Sequence, residues 1–222
     1  MVSTEFATVR LKPGTDVKSE GKGKEIVDLV CETVSRQEGC LFVASGVTVE
    51  DPEVWEMVVE WRDIADHKRF QTNEAYGPFM EKARTVVSEE PGSLVINHAD
   101  LTTPISDVTS APVVEVLLFY AAPDAGRDDE LVAAVRELVD AGLKNGAAVT
   151  NVAAGWVVEP LEWPEKFEGK AKAYRVVIGW ESVEKHMEYR ETDSFKQTIP
   201  AVRACVLATD MHHTVFNKYE KP

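Results

Sequence analysis

The chain lacks the features that mark several large classes of protein. Its 222 residues include three cysteines, Cys31, Cys40 and Cys205, and no two of them form a CxxC pair. An odd, unpaired set favours reduced thiols over a disulfide framework. No apolar run approaches the roughly 20 residues that span a bilayer, and the first residues show no signal-peptide core. We therefore expect a cytoplasmic protein that does not engage a membrane.

Positive charge is also scarce. Lys and Arg number 24 against 38 Asp and Glu, which gives a formal net charge of −14. A surface that binds nucleic acid needs a stripe of Lys and Arg to displace counterions from phosphates, and the sequence has no such stripe. It also has no GxGxxG, P-loop, GxSxG or HExxH pattern. Nucleotide-binding, acyl-serine and zinc-protease chemistry are therefore unsupported, and we expect no nucleic-acid partner.

What the sequence does contain is an internal repeat. Trp61 aligns with Trp180 at an offset of 119 residues, and the segments after them align through His67 and His186. Segments further upstream align at an offset of 107, so the second copy carries about 12 additional residues. We place this insertion at about 159–170, a stretch rich in Pro, Glu and Lys. A duplicated unit of roughly a hundred residues is therefore the basis of the fold.

The repeat predicts a domain organisation: a first repeat over 1–100, a linker over 101–112 and a second repeat over 113–222. Each repeat reads as β-α-β-β-α-β, which is a four-stranded sheet with two helices on one face. The uncovered faces of two such sheets can pack together. We expect a barrel-like, pseudo-twofold unit within one chain, and whether this pseudo-dimer pairs again as a homodimer is left open.

The strands that end at the aligned tryptophans alternate in character, so one face of each is apolar. We expect these faces to line a cavity inside the barrel through Trp55, Met57, Trp61, Tyr174, Ile178 and Trp180. The alternative orientation would turn Glu56, Glu60 and Arg175 toward the interior.

Signals at the ends of elements refine this outline. Asp63 is predicted to cap the helix after the third strand, and Thr72 to cap a second helical piece that runs to about residue 87. The last strands of the two repeats are predicted over 94–97 and 213–217.

Two short segments resemble a known superfamily: Glu60-Trp61-Arg62-Asp63 and Gly179-Trp180-Glu181-Ser182, each with a His six residues after its Trp. They resemble the dimeric α+β barrels, and within these the antibiotic-biosynthesis monooxygenase (ABM) type in tandem form. The resemblance implies an α+β fold of two ferredoxin-like repeats that form an intramolecular dimeric α+β barrel. It also implies a small-molecule pocket lined by Trp61 with His67, and again by Trp180 with His186.

Members of the superfamily include cofactor-free monooxygenases, polyketide cyclases, isomerases and haem-degrading oxygenases. Many ABM-type members carry a His nine residues after the Trp, whereas this chain has Phe70 and Tyr189 there. The resemblance therefore implies the fold and a small-molecule ligand more specifically than it implies a reaction.

His67 and His186 are the candidate catalytic residues, because a neutral imidazole can accept a proton from a phenol or an acidic carbon. We predict a cofactor-independent enzyme acting on an aromatic or polyketide-like compound as a cyclase, isomerase or monooxygenase. A helix histidine can equally be a half-exposed surface residue, so the alternative is a non-catalytic small-molecule-binding or stress-associated barrel. Haem binding is a third, weaker interpretation.

Other residues carry weaker signals. His98 is a weaker candidate than His67 and His186. His212 and His213 are neighbours on a strand, so their side chains point to opposite faces and cannot bind one metal ion together. No metal site is therefore expected. Trp163 and Phe167 in the insertion can form either a lid over a pocket or a cap on the end of the barrel.

Overall fold

A computed structural model of the chain describes residues 2–122 and 126–220. In the first repeat the elements are β1 (Ser3–Arg10), α1 (Lys22–Ser35), β2 (Cys40–Val47), β3 (Val54–Trp61), α2 (Ile64–Gln71), α3 (Tyr76–Ala83) and β4 (Leu94–Ala99). A short helix, α4 (Ile105–Val108), follows. In the second repeat they are β5 (Val113–Ala121), α5 (Asp128–Lys144), β6 (Val149–Trp156), β7 (Leu161–Glu162), β8 (Lys170–Trp180), α6 (Val183–Arg190), α7 (Asp193–Arg203), β9 (Ala208–Thr214) and β10 (Asn217–Lys218).

The strands form two antiparallel sheets that close into a barrel. The first has the order β10-β2-β3-β1-β4 and the second the order β6-β8-β5-β9, with β7 paired to β8. β10 lies near the end of the chain but pairs with β2 of the first repeat. Single bridges between Ala99 and Val157, and between Thr48 and Thr214, join the sheets at both edges. The predicted fold, two ferredoxin-like repeats in an intramolecular dimeric α+β barrel, is confirmed.

The hydrophobic residues form three cores. One lies between the sheets and contains Phe6, Val58, Val114 and Val177. The other two lie between each sheet and its own helices. In the first repeat, the apolar stripe of α1 packs there through residues spaced at helical periodicity, Val27, Val30 and Val34.

The prediction that the tryptophan faces line the barrel is wrong. Trp55, Met57 and Trp61 pack against the helices, in the same core as α1. An eight-stranded barrel is just wide enough for side chains to fill its interior. Phe6, Val58 and Val177 fill it here, and the bulkier indole rings of Trp55 and Trp61 lie on the outer face, where helices cover them. The alternative orientation, with the polar residues of β3 and β8 inside, is the one observed.

Buried polar groups consequently meet inside the barrel. His212 Nε2 lies 2.8 Å from Glu56 Oε1, and Arg175 donates to Asn97 Oδ1 at 2.9 Å. The Arg175 guanidinium also lies over the Phe6 ring, 4.2 Å from its centroid. Burial lowers the pKa of Arg175 to about 10. Burial alone would raise the pKa of Glu56, but His212 holds it below its ordinary value.

Glu56 and Arg175 occupy equivalent positions of the two repeats, at the offset of 119. The pseudo-twofold arrangement thus places opposite charges at matching points of β3 and β8.

The helix termini confirm one predicted cap and correct another. Asp63 accepts the Ala65 N–H at 2.9 Å at the start of α2. Thr72 instead ends α2, because its N–H and its hydroxyl both bond to the Arg69 carbonyl. α3 starts at Tyr76 and ends at Ala83, several residues before the predicted end.

The insertion caps the end of the barrel. Its β7 pairs with the start of β8, and the rings of Trp163 and Phe167 lie 5.3 and 5.4 Å from the Tyr120 ring. Both side chains pack against the core between the sheets. Neither lines the sheet–helix cavities described below.

The segment predicted as a linker contains α4, whose Ile105 and Val108 are buried in the core between the sheets. No helix of the described residues has the length and apolarity needed to cross a bilayer.

Candidate functional site

Each repeat has a cavity between its sheet and its helices. The first cavity has a volume of about 60 Å³, and the second about 230 Å³. The predicted residues Trp55, Met57, Trp61 and His67 line the first. Ile178, Trp180 and His186 line the second. Tyr174 lines neither and packs on Trp156, with ring centroids 5.0 Å apart.

In the first repeat, a buried acid and two imidazoles surround Trp61. The Trp61 Nε1–H donates to Glu5 Oε2 at 2.7 Å. The His67 ring stacks on the Trp61 ring with centroids 5.2 Å apart and planes 2° apart. His67 Nδ1 lies 2.7 Å from His98 Nε2 and 3.2 Å from Glu5 Oε2. Behind His98, its Nδ1 lies 2.7 Å from Glu159 Oε1, and its backbone N–H donates to Glu159 Oε2 at 2.8 Å.

The second repeat builds the same constellation from equivalent residues. The Trp180 Nε1–H donates to Glu115 Oε2 at 2.9 Å, and His186 stacks on Trp180 with centroids 4.8 Å apart. His186 Nδ1 lies 2.8 Å from His213 Nε2, and His186 Nε2 lies 3.4 Å from Glu115 Oε1. His213 Nδ1 lies 2.6 Å from Glu50 Oε1.

Strand register brings the acid and the second imidazole together in each repeat. Glu5 of β1 is the direct partner of His98 on β4, and Glu115 of β5 is the direct partner of His213 on β9. Side chains opposite each other on antiparallel strands lie on one face, about 5 Å apart at Cβ.

The terminal carboxylates cross between repeats. Glu159 belongs to the second repeat but contacts the first site, and Glu50 belongs to the first repeat but contacts the second. Two glycines allow the backbones to approach: a Cβ at Gly46 would lie 2.1 Å from the Val215 carbonyl oxygen, and one at Gly155 would lie 2.1 Å from that of Asp100. Each site is therefore completed by the other repeat.

Burial dominates the electrostatics of both sites. It raises the pKa of Glu5 and that of Glu115 to about 7, because a buried carboxylate loses its hydration. Burial lowers the pKa of His67 to about 4 and that of His186 to about 3, again by disfavouring the charged form. Both imidazoles are therefore neutral at pH 7.

The two sites differ in the orientation of the histidine that stacks on the tryptophan, His67 in the first repeat and His186 in the second. His186 turns one nitrogen to Glu115 and the other to His213, so its groups form a linear chain. His67 turns Nδ1 toward both Glu5 and His98, so its groups converge on one point.

The sequence did not point to the four acids, namely Glu5, Glu159, Glu115 and Glu50. His98 and His213 were considered as metal ligands and set aside. Part of the signal was present: Glu5 aligns with Glu115 at an offset of 110, and His98 with His213 at an offset of 115. The last strand was predicted over 213–217, whereas β9 spans Ala208–Thr214. Because the predicted strand started several residues too late, His213 was not aligned with His98.

Comparison with known proteins agrees with this architecture. Residues 7–82 match the family model described as antibiotic biosynthesis monooxygenase. The match covers most of the first repeat and about a third of the chain. Among curated proteins, none matches the sequence.

Solved structures extend the likeness to both repeats. A "putative monooxygenase" from Fusobacterium nucleatum is 14% identical, with a TM-score of 0.63 over 100% of this chain and 98% of its own. One from Lactobacillus acidophilus is 13% identical, with a TM-score of 0.61 over 99% and 96%. An "anthrone oxidase-like protein" is 12% identical, with a TM-score of 0.67 over 98% and 92%. At these identities the likeness is one of fold, and it extends over both repeats.

Proposed function

We propose that the chain is a cofactor-independent enzyme that removes a proton from a planar aromatic or polyketide-like substrate held in the second cavity. The observation that carries this proposal is a continuous series of polar groups, His186, His213 and Glu50, that leads from the cavity toward solvent. His186 is 3% exposed, whereas the Glu50 side chain is 46% exposed. Such a series can carry a proton out of a dry pocket.

The size and lining of the second cavity support this class of substrate. A cavity of about 150 Å³ lined by apolar side chains binds benzene. The 230 Å³ here is larger and therefore suits fused rings. Its walls are mainly apolar and aromatic, including Phe119, Ile178, Trp180, Tyr189 and Phe195. The first cavity, at 60 Å³, has room only for a few waters.

The hydrogen bonds define the direction of proton transfer. His213 Nδ1–H donates to Glu50, which leaves His213 Nε2 to accept from His186 Nδ1–H. His186 Nε2 then carries a lone pair beside the cavity. We propose that this atom takes the substrate proton while Nδ1 releases its own to His213.

Glu115 has a positioning role in this scheme. Its carboxyl lies 3.4 Å from His186 Nε2, and burial raises its pKa to about 7. When protonated, it occupies the Nε2 lone pair by donating to it. When ionised, it frees that lone pair and stabilises the imidazolium that forms in turnover. We therefore expect kcat/KM to rise with pH through about 7.

Deprotonation is the step that cyclisation, isomerisation and oxygenation of such substrates share. For oxygenation of an acidic methylene, the carbanion reacts with O₂, so that CH₂ and O₂ become a carbonyl and water. The match of residues 7–82 to the antibiotic biosynthesis monooxygenase family model and the fold shared with an anthrone oxidase-like protein favour this outcome.

The test uses a hydroxylated anthrone, whose methylene is acidic, with O₂ uptake and quinone absorbance measured against the enzyme-free rate. We expect His186→Ala to lower kcat by about 100-fold or more, the range of general-base catalysis. The matched variant His67→Ala should stay within about threefold of the parent. Circular dichroism checks that both fold.

Three outcomes contradict the proposal. Turnover that survives His186→Ala rules out the base, and turnover lost in His67→Ala places the reaction in the first repeat. Tight binding of the anthrone without turnover favours the alternative, a non-catalytic binding protein.

A further inference from the structure

The first repeat holds the same buried acid and imidazoles around a cavity too small for that substrate. We propose that Glu5, His67 and His98 form a binding site for one divalent transition-metal ion. This proposal does not depend on the function assigned to the second repeat.

The donor atoms converge. His67 Nδ1 lies 2.7 Å from His98 Nε2 and 3.2 Å from Glu5 Oε2, and one ligand atom from each of the three residues lies within 4.8 Å of the others. Ligands bonded at about 2.0–2.1 Å to a tetrahedral ion lie roughly 3.3 Å apart. The imidazole–carboxylate separation already has this value. The two imidazoles need to part by only about half an ångström to admit the ion.

The groups behind the donors are those that support metal ligands elsewhere. Glu159 accepts from His98 Nδ1 at 2.7 Å and from its backbone N–H at 2.8 Å, which turns Nε2 toward the site. A carboxylate behind a ligating histidine fixes its tautomer and its orientation. The Trp61 Nε1–H holds the Glu5 carboxylate at 2.7 Å. Three elements and a segment of the other repeat thus fix the site before any ion binds.

Charge and space are also suitable. Glu5 is 3% exposed, and among the described residues no Lys or Arg lies within ion-pair distance of it; its neighbour is His67. A bound cation would provide the missing positive charge. Two imidazoles and one carboxylate suit Zn²⁺, Co²⁺ or Fe²⁺. Glu5 and His67 border the 60 Å³ cavity, which can hold water ligands.

The second repeat provides an internal control. One ring nitrogen of His186 faces Glu115 and the other faces His213, so a single ion cannot bind all three residues there. Within the part of the chain that the structure describes, the convergent group of three donors is found in the first repeat.

The experiment titrates tag-free, chelator-treated protein with Zn²⁺ by calorimetry, and with Co²⁺ by its visible d–d absorption. We expect one ion per chain and a Co²⁺ band typical of mixed nitrogen and oxygen ligands. His98→Ala should abolish the band, and Glu159→Gln should weaken Zn²⁺ binding by about 10- to 100-fold. The matched variants His213→Ala and Glu50→Gln should leave both signals unchanged.

Glu159→Gln also covers the case in which His98→Ala fails to fold, since the Glu159 side chain is 37% exposed and its loss leaves the core intact. The proposal is overturned if the parent binds no ion. It is equally overturned if His98→Ala or Glu159→Gln binds as the parent does, or if the second-repeat variants lose binding to the same extent.

Discussion

The two repeats place the same types of side chain around very different spaces. Each site has an acid, a tryptophan, two histidines and a carboxylate from the other repeat, yet the cavities measure about 60 and 230 Å³. At the offset of 119, two wall residues of the first cavity have smaller equivalents, Tyr174 for Trp55 and Val176 for Met57, and of these two Val176 lines the second cavity. The polar groups were retained after duplication, while the apolar walls diverged.

Aromatic packing shows the same divergence. In the first repeat, Phe70 lies against Tyr76 and Phe79, with centroids 5.1 and 5.3 Å away. In the second, the Tyr189 hydroxyl donates to the Leu138 carbonyl at 2.7 Å, which ties this ring to α5. The ring cluster of the first repeat thus leaves a cavity with room for an ion or a few waters. In the second repeat, the Tyr189 ring is held against α5, and the cavity has room for a substrate.

The largest expected effect concerns the buried acid of the second repeat. Burial raises the pKa of Glu115 to about 7, so the folded state holds its proton above the ordinary value of 4.5. This contribution to stability is full below pH 4.5 and is lost as the pH rises to 7. Glu115→Gln has no carboxyl group to ionise, so it is not destabilised in this way as the pH rises. The free energy of unfolding of the variant, relative to that of the parent, should therefore rise by on the order of 3 kcal/mol between pH 4.5 and 7. Urea unfolding at pH 4.5 and 8 measures it, and an advantage independent of pH contradicts it.

The second prediction changes one wall residue in each cavity. Val176 lines the second cavity, and Val176→Phe should fill part of it and weaken binding of the anthrone by about 100-fold, because a buried ring takes the space of a fused-ring ligand. Met57 is its equivalent in the first cavity, and Met57→Val should enlarge that cavity. Fluorescence titration of both variants measures the two affinities, and unchanged affinity in Val176→Phe would place the ligand elsewhere.

The third prediction separates the crossing carboxylates. Glu50→Gln ends the proton path in a neutral amide, and we expect kcat to fall about tenfold with KM little changed. Glu159→Gln is its counterpart and should leave turnover of the anthrone within about twofold. Equal losses in steady-state kinetics would show that the carboxylates act only by holding the barrel together.

The smallest expected effect is at the rim of the second cavity. Arg190 lines it and lowers the pKa of Glu115 by its charge. Arg190→Gln should raise KM for a phenolic ligand about threefold and move the pH dependence of kcat/KM upward. If the pH profile of kcat/KM does not shift in Arg190→Gln, Arg190 and Glu115 do not interact electrostatically.

The repeat and the fold could be predicted because a tryptophan and a histidine six residues later recur at one offset. Which face of β3 points into the barrel could not be predicted. Alternation along the strand shows that Trp55 and Trp61 share a face, but the space available inside the barrel decides where that face points. Glu5 and His98 meet through cross-strand register, which a single sequence does not display. Glu159 arrives from the other repeat, where no local pattern links it to His98.

The charges inside the barrel bear on the history of the chain. A single repeat that paired with itself would bring two copies of Glu56, or two of Arg175, to matching points of one dry interior. A chain that contains both repeats can hold an acid at one of these points and a base at the other. With these residues in place, neither repeat could pair with a second copy of itself without burying two like charges together.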